Sequence, residues 1–415
     1  MTKKIGETDA LENGPLRVML DIRVLQGEDA CKGMGHYTRG MVEALLRQAE
    51  EESIEYALAL SRNYPDPDLP IPDYVRVMTI SEPRQHAGWT QRIFRMTGSL
   101  TDWSWARMAD ARELQAMSRS FGADILHICC PLHGPFNWSI DPTVATVATL
   151  YDLIPYKYRE MYLDQWPDFA RRRYMHRLDM LRKLPLAFVI SRAVAEDAEE
   201  YLNLSESQIA LAYPGLRFDP EAKKPPPLPQ RLDDPFVFAF YSRNPSKNSQ
   251  TLVRAYAGLP GALRGKFPLK LACPDDPETR TELDDKISEA GLRGQVEVLE
   301  GLGDAELQEH YRKASLFVLP SKAEGFGLPA LEAMCSGAPV LASNISVLRE
   351  ILDDAGSYFS PDDSDELAQK LRDLLEKPDL LEKMAESGLK RGKIFNWDKT
   401  ARAMAADYRS LAKVS

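Results

Sequence analysis

Two glutamates eight residues apart, Glu324 and Glu332, bracket a Gly325-Phe326-Gly327 turn and Pro329. The apolar run Leu316 to Leu319 ahead of them has strand character. Pro329 suits the first position of a helix that carries Glu332 in its first turn and stops at Gly337. A glycine turn entering a helix N-terminus presents backbone N–H groups without intrahelical partners, together with the positive end of the helix dipole. Such a site suits a phosphate, a diphosphate or a sugar hydroxyl, and both carboxylates can face the same ligand. A second glycine pair, Gly33-Met34-Gly35, follows the first apolar run of the chain. Alone it reads as a tight turn, but its place ahead of a helix would let the backbone approach a ligand closely. Another polar loop, Ser242 to Asn248, leaves an apolar run and carries Arg243 and Lys247, while His127 and Tyr151-Asp152 lie at the ends of two further runs.

Chemistry at run ends requires elements that hold those ends together. Strand-like runs occur at Leu16 to Ile22, Tyr56 to Leu60, Ile125 to Cys130, Val144 to Leu150 and Leu186 to Ile190, with helical patterns at Gly35 to Gln48, Trp105 to Phe121 and Asp168 to Arg182. Short, continuously apolar strands separated by helices predict a parallel sheet covered on both faces. Residues 220–235 carry Pro225 to Pro227 and Pro229 and cannot continue a ladder or a helix, so they read as a linker. A second series follows from Phe236 to Ala342. The expected fold is α/β, with two Rossmann-like doubly wound domains, 1–219 and 236–394, facing across a cleft. The helical pattern within 395–415 either caps the second domain or packs back on the first. Doubly wound sheets bind ligands beyond the carboxyl ends of their strands, which is where the residues above lie.

Composition narrows the class. The chain has 415 residues, 44% of them hydrophobic, with 52 Lys and Arg against 62 Asp and Glu, a formal charge of −10. That is enough material for two cores and the wrong sign for a general nucleic-acid binder. Five cysteines without paired spacing argue against a disulfide framework or a zinc site and fit a reducing compartment. Residues 1–15 are polar, and no run approaches the roughly 18 apolar residues of a membrane span, so a cytoplasmic protein is expected. Arginines and aromatics interleave from Arg84 to Arg119, and Arg171, Arg172, Arg173, Arg177 and Arg182 recur nearby at helical spacing. Such a mixture can rest on an anionic lipid surface at the inner face of a membrane, or it can be a solvated loop with its aromatics in the core.

The string Glu324-Gly325-Phe326-Gly327-Leu328-Pro329-Ala330-Leu331-Glu332 resembles the E-x7-E element of the retaining family 4 glycosyltransferases of GT-B architecture. The resemblance extends to Gly301, Asp304 to Leu307 and Tyr311 upstream, to Ser343-Asn344 and Leu348 to Glu350 downstream, and to Gly33 to Thr38 in the first half. It implies transfer of a hexosyl group, mannosyl by its general pattern, from a nucleotide-diphosphate sugar such as GDP-mannose to a saccharide or lipid-linked saccharide in surface polysaccharide assembly. It implies retained anomeric configuration, no cofactor and no metal. Glu324 would then act on the sugar with the backbone of Gly325, Phe326, Gly327 and Leu328. Glu332 would hold the ribose, Gly33 and Gly35 would line the donor site, and Lys247 with Arg243 would stabilise the departing diphosphate. This chain departs from the pattern in two places: Ser242 stands where relatives carry the arginine, with Arg243 one residue later, and Tyr151 stands where they commonly carry the histidine of His-Asp. Tyr151, Asp152 and His127 are the expected sugar or acceptor contacts. A non-catalytic nucleotide-sugar-binding subunit and an epimerase on the same architecture are the alternatives.

Overall fold

A computed structural model describes residues 14–81, 101–217 and 225–413. Its first sheet consists of β1 (Leu16–Asp21), β2 (Ile54–Ser61), β3 (Arg76–Ile80), β4 (Ile125–Ile128), β5 (Ala145–Leu150), β6 (Leu186–Val189) and β7 (Ile209–Leu211), in the spatial order β3-β2-β1-β4-β5-β6-β7. The second consists of β8 (Val237–Phe240), β9 (Leu269–Cys273), β10 (Val296–Glu300), β11 (Leu316–Leu319), β12 (Val340–Ser343) and β13 (Gly356–Phe359), in the order β10-β9-β8-β11-β12-β13. All strand pairs are parallel. β4, β6, β11 and β12 are buried at every position, which is why they read as unbroken apolar runs. Strand order reverses between β1 and β4 and again between β8 and β11, so each domain has one crossover crevice outside its strand ends.

The strands anticipated from the sequence end within two residues of those observed. β3, β7 and β13 were not anticipated. β3 is an edge strand with exposed Arg76 and Val77, and β7 has only three residues, so neither shows a continuous apolar run. The linker is partly outside the described residues, and its remainder is anchored to the second domain. Arg231, in the short helix Leu228–Arg231, donates to the carbonyls of Pro226 at 2.9 Å and Gly337 at 2.5 Å.

The helix Trp397–Ala412 packs back on the first domain. Trp397 meets Tyr37 edge-on with ring centroids 4.9 Å apart, Arg47 pairs with Asp398 at 2.8 Å and Arg409 with Glu52 at 2.6 Å. Its Tyr408 hydroxyl lies 2.5 Å from Nδ1 of His127, whose Nε2 lies 2.8 Å from the Thr149 hydroxyl. This corrects the expected role of His127. It sits on a central strand covered on both faces, is fully buried, and burial lowers its pKa to about 3, so it is a neutral core residue bridging two elements and not an acceptor contact. Tyr408→Phe would leave Nδ1 of a buried imidazole without its partner. We expect a loss of about 1 to 3 kcal/mol of stability in urea unfolding, with specific activity unchanged in the folded fraction; an unchanged midpoint would show that the contact contributes nothing.

Candidate active site

The β8/β11 crossover brings the two loops of interest together. After β8, Pro245–Lys247 forms a single 3-10 turn, capped by the Asn244 side chain accepting from Ser246 N–H at 3.0 Å and closed by left-handed Asn248. Asn248 donates to the carbonyls of Pro320 at 2.9 Å and Pro361 at 2.7 Å, and the N–H of Lys322 donates to the Ser246 carbonyl at 2.7 Å, which ties this loop to the one after β11. The Lys247 ammonium thereby lies 2.8 Å from both Glu324 oxygens, and the Ser321 hydroxyl donates to the same carboxylate at 2.7 Å. Glu324 is only 8% exposed at its side chain, whereas Lys247 is 39% exposed. Arg243, ahead of the turn, is held by Glu278 at 2.6 Å and Glu282 at 3.2 Å on the helix Pro277–Glu289.

The glycine turn is where the two domains meet. A Cβ on Gly325 would stand 2.2 Å from the Tyr151 carbonyl oxygen, so only glycine permits this approach. The Ser191 hydroxyl of the first domain donates to the Gly325 carbonyl at 2.7 Å. Gly327 has φ +97°, a left-handed conformation, and launches the helix Leu328–Cys335. Phe326 is buried between Tyr213 and Phe395. The helix begins one residue earlier than the sequence implied, so Pro329 is its second residue and Glu332 lies in the second turn, not the first. Leu328 approaches Gly33, where a Cβ would be 3.7 Å away. Gly35 has a more local reason to be glycine: a Cβ there would stand 2.2 Å from the Ala30 carbonyl oxygen, so its face is filled by its own loop and not left open to a ligand.

Glu332 is buried, accepting from the Tyr311 hydroxyl at 3.2 Å and pairing with Arg217 at 3.2 Å. Arg217 also pairs with Asp304 at 3.3 Å and lies 2.9 Å from Nε2 of His36. Burial pushes the Glu332 pKa up to about 7 against the pull of Arg217 and Tyr311. Arg217, Ser191 and Ser321 were not singled out from the sequence, since each matters only through a contact with a residue distant in the chain or through a rotamer.

The Tyr151 side chain is placed differently from the expectation. The Tyr151 hydroxyl donates to the Cys129 carbonyl at 2.8 Å and shares a 2.7 Å hydrogen bond with Thr38, so it is committed to the core; what Tyr151 brings to the cleft is its carbonyl. Asp152 accepts from the Ile154 N–H at 3.0 Å and sits beside Gly325. The stretch Arg84 to Leu100 lies outside the described residues. Of the later arginines, Arg177 is buried, Arg171 pairs with Asp168 at 2.6 Å and Arg182 with Asp179 at 2.5 Å. Among the described residues no helix is long and apolar enough to cross a membrane, and no group of three or more His, Cys, Asp or Glu is placed to hold a metal ion.

The Glycosyl transferases group 1 family matches residues 221–391, the span that supplies Lys247, Glu324 and Glu332. The second domain is similar to that family over most of its length. The serotype-specific mannosyltransferase WbdA of Escherichia coli is 26% identical over 416 residues, covering 96% of this chain and 49% of its own length. The O-antigen chain mannosyltransferase B of the same organism is 36% identical over 167 residues, covering 39% of this chain and 42% of its own. The chain thus spans about half the length of the curated relatives it matches. A sucrose-phosphate synthase from Thermosynechococcus elongatus superposes with a TM-score of 0.72 at 21% identity, over 96% of this chain and all of that one, and shows that the fold is GT-B.

Buried Glu332 makes a prediction about pH. Its folded pKa of about 7 exceeds the ordinary 4.5, so between those values the folded chain holds a proton that the unfolded chain has lost, and stability falls as pH rises through this window. The full loss corresponds to about 3 kcal/mol at 1.36 kcal/mol per pKa unit. Glu332→Gln should abolish that slope, so urea midpoints measured from pH 4.5 to 8 should converge at the acid end and favour the variant at the basic end. Parallel profiles would show that Glu332 is ionised throughout.

Proposed function

We propose that the chain transfers a hexosyl group, mannosyl as in its named relatives, from a nucleotide-diphosphate sugar of the GDP-mannose kind to a saccharide or lipid-linked saccharide hydroxyl, with retention. The observation that carries this reading is the placement of Lys247, Glu324 and the N-terminus of Leu328–Cys335 at one crossover crevice, facing the Tyr151 and Ser191 wall of the other domain. A diphosphate against Lys247 and the helix N-terminus meets a mobile cation and fixed N–H donors, which stabilise the negative charge that develops as the sugar departs. Glu332, already gripped by Tyr311 and Arg217, accepts from the ribose hydroxyls. Glu324 and the turn backbone position the sugar. The acceptor hydroxyl attacks from the leaving-group side, its oxygen bonding to the anomeric carbon as the diphosphate oxygen leaves and takes the proton. Polysaccharide assembly is the setting that the relatives' names support.

Several measurements test the reading together. Purified chain supplied with GDP-mannose and mannosides should release GDP and form an α-linked product, identified by the one-bond carbon–proton coupling at the anomeric centre; a β-linked product would refute retention, and a changed donor sugar without acceptor would point to an epimerase. Glu324→Gln and Lys247→Ala should each reduce kcat/KM by about 100-fold, as for loss of one preorganised contact to developing charge. Arg243→Ala should reduce it less than about threefold, because its exposed guanidinium is spent on two helix carboxylates. A larger loss for Arg243 than for Lys247 would overturn the assignment of the phosphate cation. Excess EDTA should leave the rate unchanged; a loss restored by magnesium or manganese would replace lysine and dipole with a metal.

A further inference from the structure

The turn that carries Lys247 belongs to the second domain, yet its cap is completed from the first. Tyr162 stands in the segment that leaves β5. Its hydroxyl donates to Oδ1 of Asn244 at 2.5 Å and accepts from the Ser246 N–H at 3.3 Å. The same Oδ1 accepts from the Ser246 N–H at 3.0 Å and from the Ser246 hydroxyl at 3.1 Å, so Tyr162 enters the capping pair itself. Its own backbone is tied to the first domain. The Tyr162 N–H donates to the carbonyls of Tyr158 and Arg159, both at 3.2 Å, and the Gln165 N–H donates to the Tyr162 carbonyl at 2.9 Å. Leu163, the next residue, is buried, and Trp166 meets Tyr174 edge-on with ring centroids 5.4 Å apart. The other end of the segment meets the other loop, where Gly325 lies against the Tyr151 carbonyl and the Asp152 side chain. One stretch of the first domain, from Tyr151 to Tyr162, thus touches both second-domain loops whose side chains form the Lys247–Glu324 pair.

We infer that Tyr162 is a positioning residue for transfer: it conveys closure of the two domains to the turn that carries Lys247, so that the ammonium is set against the departing diphosphate when the first domain is in place. A single 3-10 turn has few and poorly aligned backbone bonds, here Lys247 N–H to the Asn244 carbonyl at 2.9 Å and Asn248 N–H to that of Pro245 at 3.2 Å. Its order therefore depends on its cap, and a hydroxyl reaching that cap from the facing domain favours the ordered turn. The contacts proposed for the sugar and the ribose, at Glu324 and Glu332, do not pass through Tyr162. Charge on the leaving oxygens develops in the transition state, so a loosened Lys247 lowers turnover more than it weakens donor binding.

This inference rests on the transferase reading, and the test separates the two. Tyr162→Phe keeps the ring and removes the hydroxyl. In ligand-free protein, hydrogen exchange followed by mass spectrometry should show the amides of Ser246 and Lys247 exchanging at least about fivefold faster, with the helix Leu328–Cys335 unchanged. With GDP-mannose and a mannoside, kcat should fall about tenfold and the donor KM stay within about threefold, at an unchanged melting temperature. In a Lys247→Ala background the same substitution should cost less than about twofold, because residues that act through one another are not additive. Unchanged exchange at the turn would overturn the inference. So would a further tenfold loss in the Lys247→Ala background, or a lower melting temperature with kcat per folded molecule unchanged. A wild-type protein that transfers no sugar from GDP-mannose would count against the transferase reading, and the exchange measurement, made without nucleotide, would then decide alone whether Tyr162 holds the turn.

Discussion

The cleft depends on how closely two backbones approach at Gly325. No side chain fits between its α-carbon and the Tyr151 carbonyl, and this lets the turn that carries Glu324 abut the first domain directly. Polar contacts then exploit the short distance. Ser191 caps the helix Arg192–Leu202 by accepting from Val194 N–H while its hydroxyl donates across to Gly325, and Glu350 of the second domain accepts from the N–H groups of Arg192 and Ala193 and from the Tyr213 hydroxyl. A helix N-terminus of one domain is thus completed by a carboxylate of the other, which satisfies donors that a separated domain would have to leave to water.

How much of this was legible follows from range. The parallel sheets showed as apolar runs because their central strands are buried on both faces, and the Glu324 to Glu332 element was legible because strand, turn and helix start are contiguous. What escaped was set by distance in the chain. His127 looks like a ligand at a strand end until Tyr408, 281 residues later, occupies its nitrogen. Tyr151 looks like a sugar contact until Cys129 and Thr38 take its hydroxyl. Arg217 and Ser191 look like ordinary loop and cap residues until the second domain arrives. Lys247 and Arg243 diverge because of the 3-10 turn at Pro245–Lys247 and the acids at Glu278 and Glu282, which no local pattern shows.

Charge in the cleft is balanced in pairs. Lys247 is matched by Glu324, Arg217 by Glu332 and Asp304, and Arg243 by Glu278 and Glu282. On the proposed function, a diphosphate entering the crevice would compete for a cation that already has a partner. The exposures favour exchange at one place: Lys247 reaches into solvent on a flexible stem, while Arg217 is held on three sides.

That exchange has a consequence for Glu324. If Lys247 turns to the phosphates as proposed, the carboxylate keeps the Ser321 hydroxyl but loses the cation that balances it in a nearly buried position. An under-matched buried charge is unfavourable in the ground state, and it becomes favourable if positive charge appears beside it. In the proposed transfer, departure of a diphosphate would create such charge on the sugar ring. The Lys247–Glu324 ion pair would then join two members that separate in order to serve opposite ends of the breaking bond, the lysine the leaving oxygen and the glutamate the ring.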